Sequence, residues 1–211
     1  MKTEELIRAL AADGSRPVTP VTTALWRALG VGVLASTALF LLLLHPRADV
    51  PRAIFTVRFD FKLVFALSVA TSAALFLREA ALPFIPHRWR WPLILGPLLL
   101  LTGVIVELLT QPAAIWGSRL IGHNAVHCLS LIPLLSLPLL VSLLAALRHA
   151  APTNPLVAGA CAGLVASGVG AMLYALTCPD DSPLFVATWY SIAITLVAAI
   201  SAYVGKRLLR W

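Results

Sequence analysis

Six long apolar stretches constrain this chain more than any other feature of its sequence. They lie at about residues 25–44, 62–82, 91–109, 124–147, 155–177 and 184–204, and each is close to the roughly 20 residues that cross a bilayer as a helix. Only 12% of the residues are charged, against roughly 25% in soluble domains, and the mean hydropathy is +0.91. The sequence therefore predicts an all-α polytopic membrane protein, with a six-helix transmembrane domain over residues 25–211.

Residues 1–24 precede the first apolar stretch and predict a short soluble arm. Thr3 is a candidate helix N-cap with two acids directly after it, and the apolar residues that follow recur on one helical face. A helix this short is marginal in water, so we expect it to lay that face in a groove of a partner protein; the alternative is a frayed tail. The predicted partner-binding residues are Leu6, Ile7 and Leu10 as apolar anchors, with Glu4, Glu5 and Arg8 around them.

The distribution of positive charge predicts that both termini are cytoplasmic. If the six stretches cross the membrane alternately, 11 of the 16 Lys and Arg residues lie on the side of the N-terminus, and cytoplasmic segments carry such an excess. The remaining five lie on the opposite, outer side: Arg47, Arg52, Arg58, Lys62 and Arg119. Four of them fall in the first outer loop and at the start of the second apolar stretch, which is the weak point of this topology.

The fifth apolar stretch is rich in glycine, alanine and serine. Gly159 and Gly163 have the spacing that lets two helix backbones approach closely. We therefore expect this helix at the centre of the bundle, the alternative being loose packing without a specific partner helix.

Two polar stretches are expected to meet at the outer face. The first runs from His123 to Cys128, and the second is Cys178-Pro-Asp-Asp-Ser-Pro. Cys128 opens the fourth helix and Cys178 ends the fifth, so both thiols lie at one depth, whereas Cys161 is expected to be a buried small apolar residue. A disulfide between the outer pair is allowed in an oxidising compartment if their Cα atoms lie within about 7 Å; the alternative is two reduced thiols packed at helix ends.

The same two stretches contain the candidate metal ligands. His123 and His127 are four residues apart and share a helical face, and imidazole with thiolate suits zinc or copper. The candidate ligand set is His123, His127, Cys128 and Cys178, with oxygen ligands available from Asp180 and Asp181. The spacing lacks the paired form of a zinc motif, and the alternative is interfacial histidines that bond to backbone or water. Beyond a transient metal at Cys128 and Cys178, no cofactor is expected.

A few ionisable residues lie close to the apolar stretches, and such residues are functional candidates. Glu107 is expected to contact Lys62 or His127. A small transporter or metal-binding membrane enzyme would use a polar cavity lined by Glu107, His127 and Asp180, and a structural subunit would need neither arm nor thiols. The sequence contains no Gly-x-Ser-x-Gly, Cys-x-x-Cys or His-Glu-x-x-His motif, so we expect no enzyme.

Several segments together resemble the NrsF-type negative regulators of sigma factors. They are the opening MKTEELIRALAAD, Phe59-Asp-Phe-Lys62, the region of Cys128, and CPDDSPLFVATWY from Cys178 to Tyr190. The resemblance implies a six-span anti-sigma factor in a bacterial inner membrane, with an extracytoplasmic-function sigma factor and the bilayer as partners and no direct contact with nucleic acid. It also implies release of the sigma factor under stress such as heavy-metal exposure, sensed at two periplasmic cysteines to which Cys128 and Cys178 correspond.

Overall fold

The structure, a computed structural model, describes residues 3–5, 20–82, 88–150 and 152–209. Six long helices make up most of this part of the chain, and each is long and apolar enough to cross a membrane. They are α1 (Val21–Leu43), α2 (Val57–Ala80), α3 (Leu95–Thr110), α4 (Ala125–Leu147), α5 (Pro155–Ala175) and α6 (Pro183–Leu208). The third span reaches this length together with the end of the 3₁₀ turn before α3, as Trp91–Thr110. The prediction of an all-α, six-helix polytopic protein is confirmed.

Short helical segments connect the long helices. Val50–Ala53 lies between α1 and α2, the 3₁₀ turn Arg88–Ile94 leads into α3, and Ala113–Ile115 and Trp116–Ile121 lie between α3 and α4. Two long helices start where the sequence supplies both a cap and a proline, since the side chains of Asn154 and Ser182 accept from backbone N–H groups of α5 and α6.

Helix α5 lies at the centre of the bundle, as predicted, and contacts α2, α4 and α6 extensively. Gly159 and Gly163 face the backbone of α6 so closely that a Cβ atom on either would collide with it. The hydroxyl of Ser201 donates to the Gly159 carbonyl at 2.6 Å. The small residues therefore select a specific partner helix, and loose packing is excluded.

Helices α1 and α3 lie at the periphery. Helix α1 packs mainly on α4, where Ser142 donates to the carbonyl of Ala28 at 2.9 Å. Helix α3 packs on α2 and on the start of α6, with Gly103 against the ring of Phe61. Although α1 and α2 are consecutive, each packs on a different inner helix.

The buried core divides into two clusters along the bundle. One includes Leu25, Leu147 and Leu209, and we call that end, where α1 begins and α6 stops, the terminal end. The other includes Phe40, Cys128 and Cys178, and we call that end the hub end. The connections at residues 44–56, 111–124 and 176–182 all lie at the hub end, so the two polar stretches do meet at one face of the bundle.

Candidate functional site

The loop between α5 and α6, residues 178–182, is the point to which the other hub-end segments attach, and we call it the hub loop. The carbonyl oxygen of Cys178 accepts from Lys62 Nζ at 2.9 Å and from Arg47 Nη1 at 3.1 Å. The preceding residues also contact the segment after α1, because the Thr177 hydroxyl donates to the carbonyl of His45 at 3.1 Å. The backbone of this loop is therefore held by side chains from two other parts of the chain.

Asp181 forms the central ion pairs of the hub loop. Its carboxylate lies 2.5 Å from Lys62 Nζ and 2.8 Å from Arg47 Nη2, and Lys62 is completely buried. Both cations also lie over the ring of Phe59: the guanidinium carbon of Arg47 is 5.1 Å and Lys62 Nζ is 5.6 Å from the ring centroid. Burying an ammonium group without a counter-ion costs free energy. The Asp181 carboxylate is therefore what allows Lys62 to be buried.

Asp180 orders the beginning of α4. One carboxylate oxygen accepts from the backbone N–H groups of His123 and Asn124 and from the Asn124 side-chain amide, each at 3.0 Å. Gly122 precedes this turn with φ of 59°, and a Cβ there would collide with Phe185 and approach Asp180. Glycine is therefore needed for the hub loop to reach α4.

Glu107 anchors α3 to the same assembly and corrects a prediction. Its buried carboxylate pairs with Arg119 Nη1 at 2.5 Å and Arg58 Nη2 at 3.1 Å, and it accepts from Ser182 Oγ at 3.3 Å. Neither expected partner, Lys62 or His127, is among these contacts. The reason is that Arg58, one helical turn before Lys62, reaches Glu107, while Lys62 reaches the hub loop instead.

The two hub-end cysteines lie in one buried apolar cluster and are free thiols. Tyr174 and Tyr190 belong to the same cluster, their ring centroids 5.9 Å apart, and the Tyr190 hydroxyl has no hydrogen-bond partner in the described part of the chain. Burial raises the pKa of the Cys178 thiol, and the Lys62 ammonium opposes this shift. Cys161 lies in the terminal-end cluster, buried as predicted.

The candidate metal ligands are not brought together. His123 is 94% exposed and His127 is exposed, whereas Cys128 and Cys178 are buried. Among the described residues, no group of three or more His, Cys, Asp or Glu could hold a metal ion. The four-ligand set is not assembled in this structure because His127 and Cys128, although adjacent, lie on faces about 100° apart.

A polar cavity of the kind a transporter or enzyme would use is likewise not formed by Glu107, His127 and Asp180. The oxygens of Glu107 bond to Arg58, Arg119 and Ser182, and those of Asp180 bond to the start of α4.

The predicted arm is described only at residues 3–5, which are helical and exposed, including Glu4 and Glu5. Leu6, Ile7, Arg8 and Leu10 lie outside the described residues, so the partner-binding face stays a prediction.

Sequence reasoning missed the partners Arg47, Arg58 and Arg119, although a signal for them was present. These three, together with Lys62, are four of the five cations that departed from the positive-inside distribution. All four form ion pairs with hub-end acids, so each of these charges has a partner of opposite sign.

Comparison with known proteins finds a matching family and relatives that align with the whole chain. Residues 10–211 match the family model NrsF, described as negative regulator of sigma F. The chain is similar to an anti-sigma-F factor NrsF of Caulobacter vibrioides, with 34% identity over 218 residues, and to a probable anti-sigma-F factor NrsF of Azospira oryzae, with 32% identity over 214 residues. Both alignments cover 100% of each chain. No solved structure matches the chain.

Proposed function

Because the chain belongs to the NrsF family of negative regulators of sigma F, we propose that it is an integral-membrane anti-sigma factor. It sequesters an extracytoplasmic-function sigma factor and releases it when a heavy metal or an oxidant acts at Cys128 and Cys178. The observation that carries the proposal is the full-length similarity to two anti-sigma-F factors, which leaves no part of the relatives unmatched.

The input site of this proposal lies below the hub loop. Cys128 and Cys178 are both buried in one packed cluster, so a metal ion or added oxygen at either sulfur needs space that the native packing does not provide. The carbonyl of Cys178 is also the acceptor for Lys62 and Arg47. A change at the thiol therefore displaces the backbone that holds two cations and disturbs their pairs with Asp181.

The output site is the N-terminal arm, with Leu6, Ile7 and Leu10 as anchors and Glu4, Glu5 and Arg8 around them. An amphipathic segment of this kind binds a hydrophobic groove of a partner. The arm leads into α1, which packs on α4, and α4 carries Cys128. This route joins the thiols to the arm through helices that already contact one another.

The energetic requirement of this coupling is modest. The modified and unmodified thiols must favour different arrangements of the bundle, and a difference of about 1–3 kcal/mol changes partner affinity by about 5–150-fold. Helix α5 can carry the change as a rigid body, because it ends three residues before Cys178 and packs closely on α2, α4 and α6.

Capture of the partner is tested by co-purification. The full-length chain and a chain lacking residues 1–13 are each expressed with the cognate sigma factor, and membranes are solubilised in detergent. We expect the sigma factor to co-purify with the full-length chain and to be lost from the shortened chain at equal membrane content. Equal recovery with both chains would remove the arm from the proposal.

Sensing is tested with a reporter gene under the sigma factor and Cd²⁺ as a thiol-seeking cation. The double change Cys128→Ser and Cys178→Ser is compared with Cys161→Ser, a matched control because Cys161 is equally buried but lies in the other cluster. We expect Cd²⁺ to induce the native chain and the control but not the double variant. Normal induction of the double variant would contradict the sensing role and leave sequestration intact.

A further inference from the structure

An apolar groove of about 350 Å³ lies between α1 and α2. It exists because the two helices pack on different neighbours, α1 on α4 and α2 on α5. Its floor includes Leu143 of α4 and Val165 of α5, and its walls include Leu29 and Ala74. Trp26 and Leu67, on the two rims, are 62% and 47% exposed, so the groove opens sideways from the bundle, toward the lipid.

The lining of the groove excludes water as its permanent content. Apart from Thr22, Thr71 and Arg78, its residues are apolar. Apolar surface inside a bilayer meets hydrocarbon or another helix, and water without polar partners is unfavourable there. The occupant is therefore an acyl chain or a protein helix, and the length of the groove together with the cation at its end favours the acyl chain of a phospholipid.

The groove is about as long as one leaflet of the bilayer. Along α1 it extends from Thr22 to Val33, a rise of about 16 Å, which is close to half of the roughly 30 Å hydrocarbon core. Its volume of about 350 Å³ has room for hydrocarbon, and its length matches an acyl chain within a single leaflet.

A cation stands at one end of the groove. Arg78 lines it one helical turn after Ala74, at the terminal end of α2. In the described part of the chain Arg78 has no ion-pair or hydrogen-bond partner, and its side chain is exposed. Guanidinium groups bind phosphate through two parallel hydrogen bonds, and Trp26, which also lines the groove, suits the membrane interface.

We propose that the groove between α1 and α2 binds one anionic phospholipid of the bilayer. One acyl chain lies between the two helices against Ala74, and the phosphate group lies on Arg78. This inference does not depend on the proposed function, because it concerns the terminal-end half of the bundle and not the thiols or the sigma factor.

The experiment uses the full-length protein in nanodiscs that contain phosphatidylglycerol with a photoactivatable diazirine on one acyl chain. After illumination, labelled peptides are identified by mass spectrometry. We expect the labels to concentrate on α1 and α2 at residues of the groove. Ala74→Phe fills the groove and should lower that labelling about tenfold, whereas Ala199→Phe, at an exposed position of α6, should leave it unchanged.

The headgroup contact has its own variant and control. Arg78→Gln should abolish the preference for the phosphatidylglycerol probe over the phosphatidylcholine probe, and Arg148→Gln, an exposed cation after α4, should retain it. If Ala74→Phe does not fold, Thr71→Phe on the exposed rim replaces it. Labels spread evenly over all lipid-facing helices, or labelling unaffected by both fillers, would each overturn the proposal.

Discussion

Lys62 and Asp181 show at residue scale how the hub end is held together. Lys62 has no exposed side-chain surface, and its ammonium depends on one carboxylate and one carbonyl, both from the hub loop. Asp181, by contrast, has a second cation in Arg47. The two partners are therefore unequal, and removal of the carboxylate harms the fold more than removal of the amine.

Asp181→Asn is expected to destabilise the protein by about 3–5 kcal/mol, because it leaves the buried charge of Lys62 without its counter-ion. Adding Lys62→Met should recover at least half of this loss. The measurement is thermal unfolding in detergent, followed by tryptophan fluorescence. Asp49→Asn is the control, since Asp49 pairs with Arg47 but is 62% exposed, and exposed pairs contribute about 0–1 kcal/mol. An equal loss in both single variants would contradict the account.

The pH dependence of Cys178 follows from its burial. Its folded-state pKa is raised, so the neutral thiol stabilises the fold at any pH below the unfolded value near 8.5, and this contribution is lost as the pH rises through the folded value. We expect native Cys178 to react with iodoacetamide with a pH midpoint above that of the unfolded chain. Lys62→Met should raise the midpoint further, because the Lys62 ammonium favours the thiolate. A native midpoint at or below the unfolded one would refute this description.

At the scale of elements, α5 shows most directly how sequence determines position, because its small residues allow it to lie at the centre of the bundle. Its glycines are placed where α6, α2 and α4 approach: Gly159 and Gly163 face α6, Gly168 faces Ala70 and Gly170 faces Ser136. Close packing between small residues is a main source of helix association in membranes. The N-termini of α5 and α6 are defined by the capping side chains of Asn154 and Ser182.

Gly159→Ala is expected to cost about 1–3 kcal/mol, because the added methyl group collides with the carbonyl of Ser201. Gly30→Ala on α1 is the matched control. A Cβ at Gly30 meets nothing within 4 Å, and alanine is the better helix former by up to about 1 kcal/mol, so this variant should be neutral or slightly more stable. Thermal unfolding of both proteins tests the contrast, and a Gly159→Ala protein as stable as Gly30→Ala would show that the α5–α6 contact is looser than described.

The length of the apolar stretches predicted most helix boundaries. It did not predict every helix start at the hub end. Helix α2 begins at Val57 and not at residue 62, since Arg58 and Lys62 are paired with acids from other segments. Hydropathy treats such residues as solvated. The partner of a buried charge depends on tertiary contacts more than 45 residues away in the chain, which local patterns do not encode.

For the whole molecule, the sequence predicted the class, the six spans and the meeting of the two polar stretches, and these are confirmed. The assembly of His123 and His127 with the thiols was predicted from spacing alone and is not formed. His127 lies on the exposed face of α4, whereas Cys128, the next residue, lies on its buried face. The core is divided into a hub-end cluster and a terminal-end cluster.

The account depends most on the two ends of the bundle lying on opposite sides of the membrane, and this is tested by cysteine labelling. His123→Cys places a thiol at the exposed hub end and His149→Cys places one at the exposed terminal end, while the chain's own three cysteines are buried. With a membrane-impermeant maleimide, we expect intact cells to label the His123→Cys protein and only inverted vesicles to label the His149→Cys protein. The reverse pattern, or labelling of both from the same side, would contradict it.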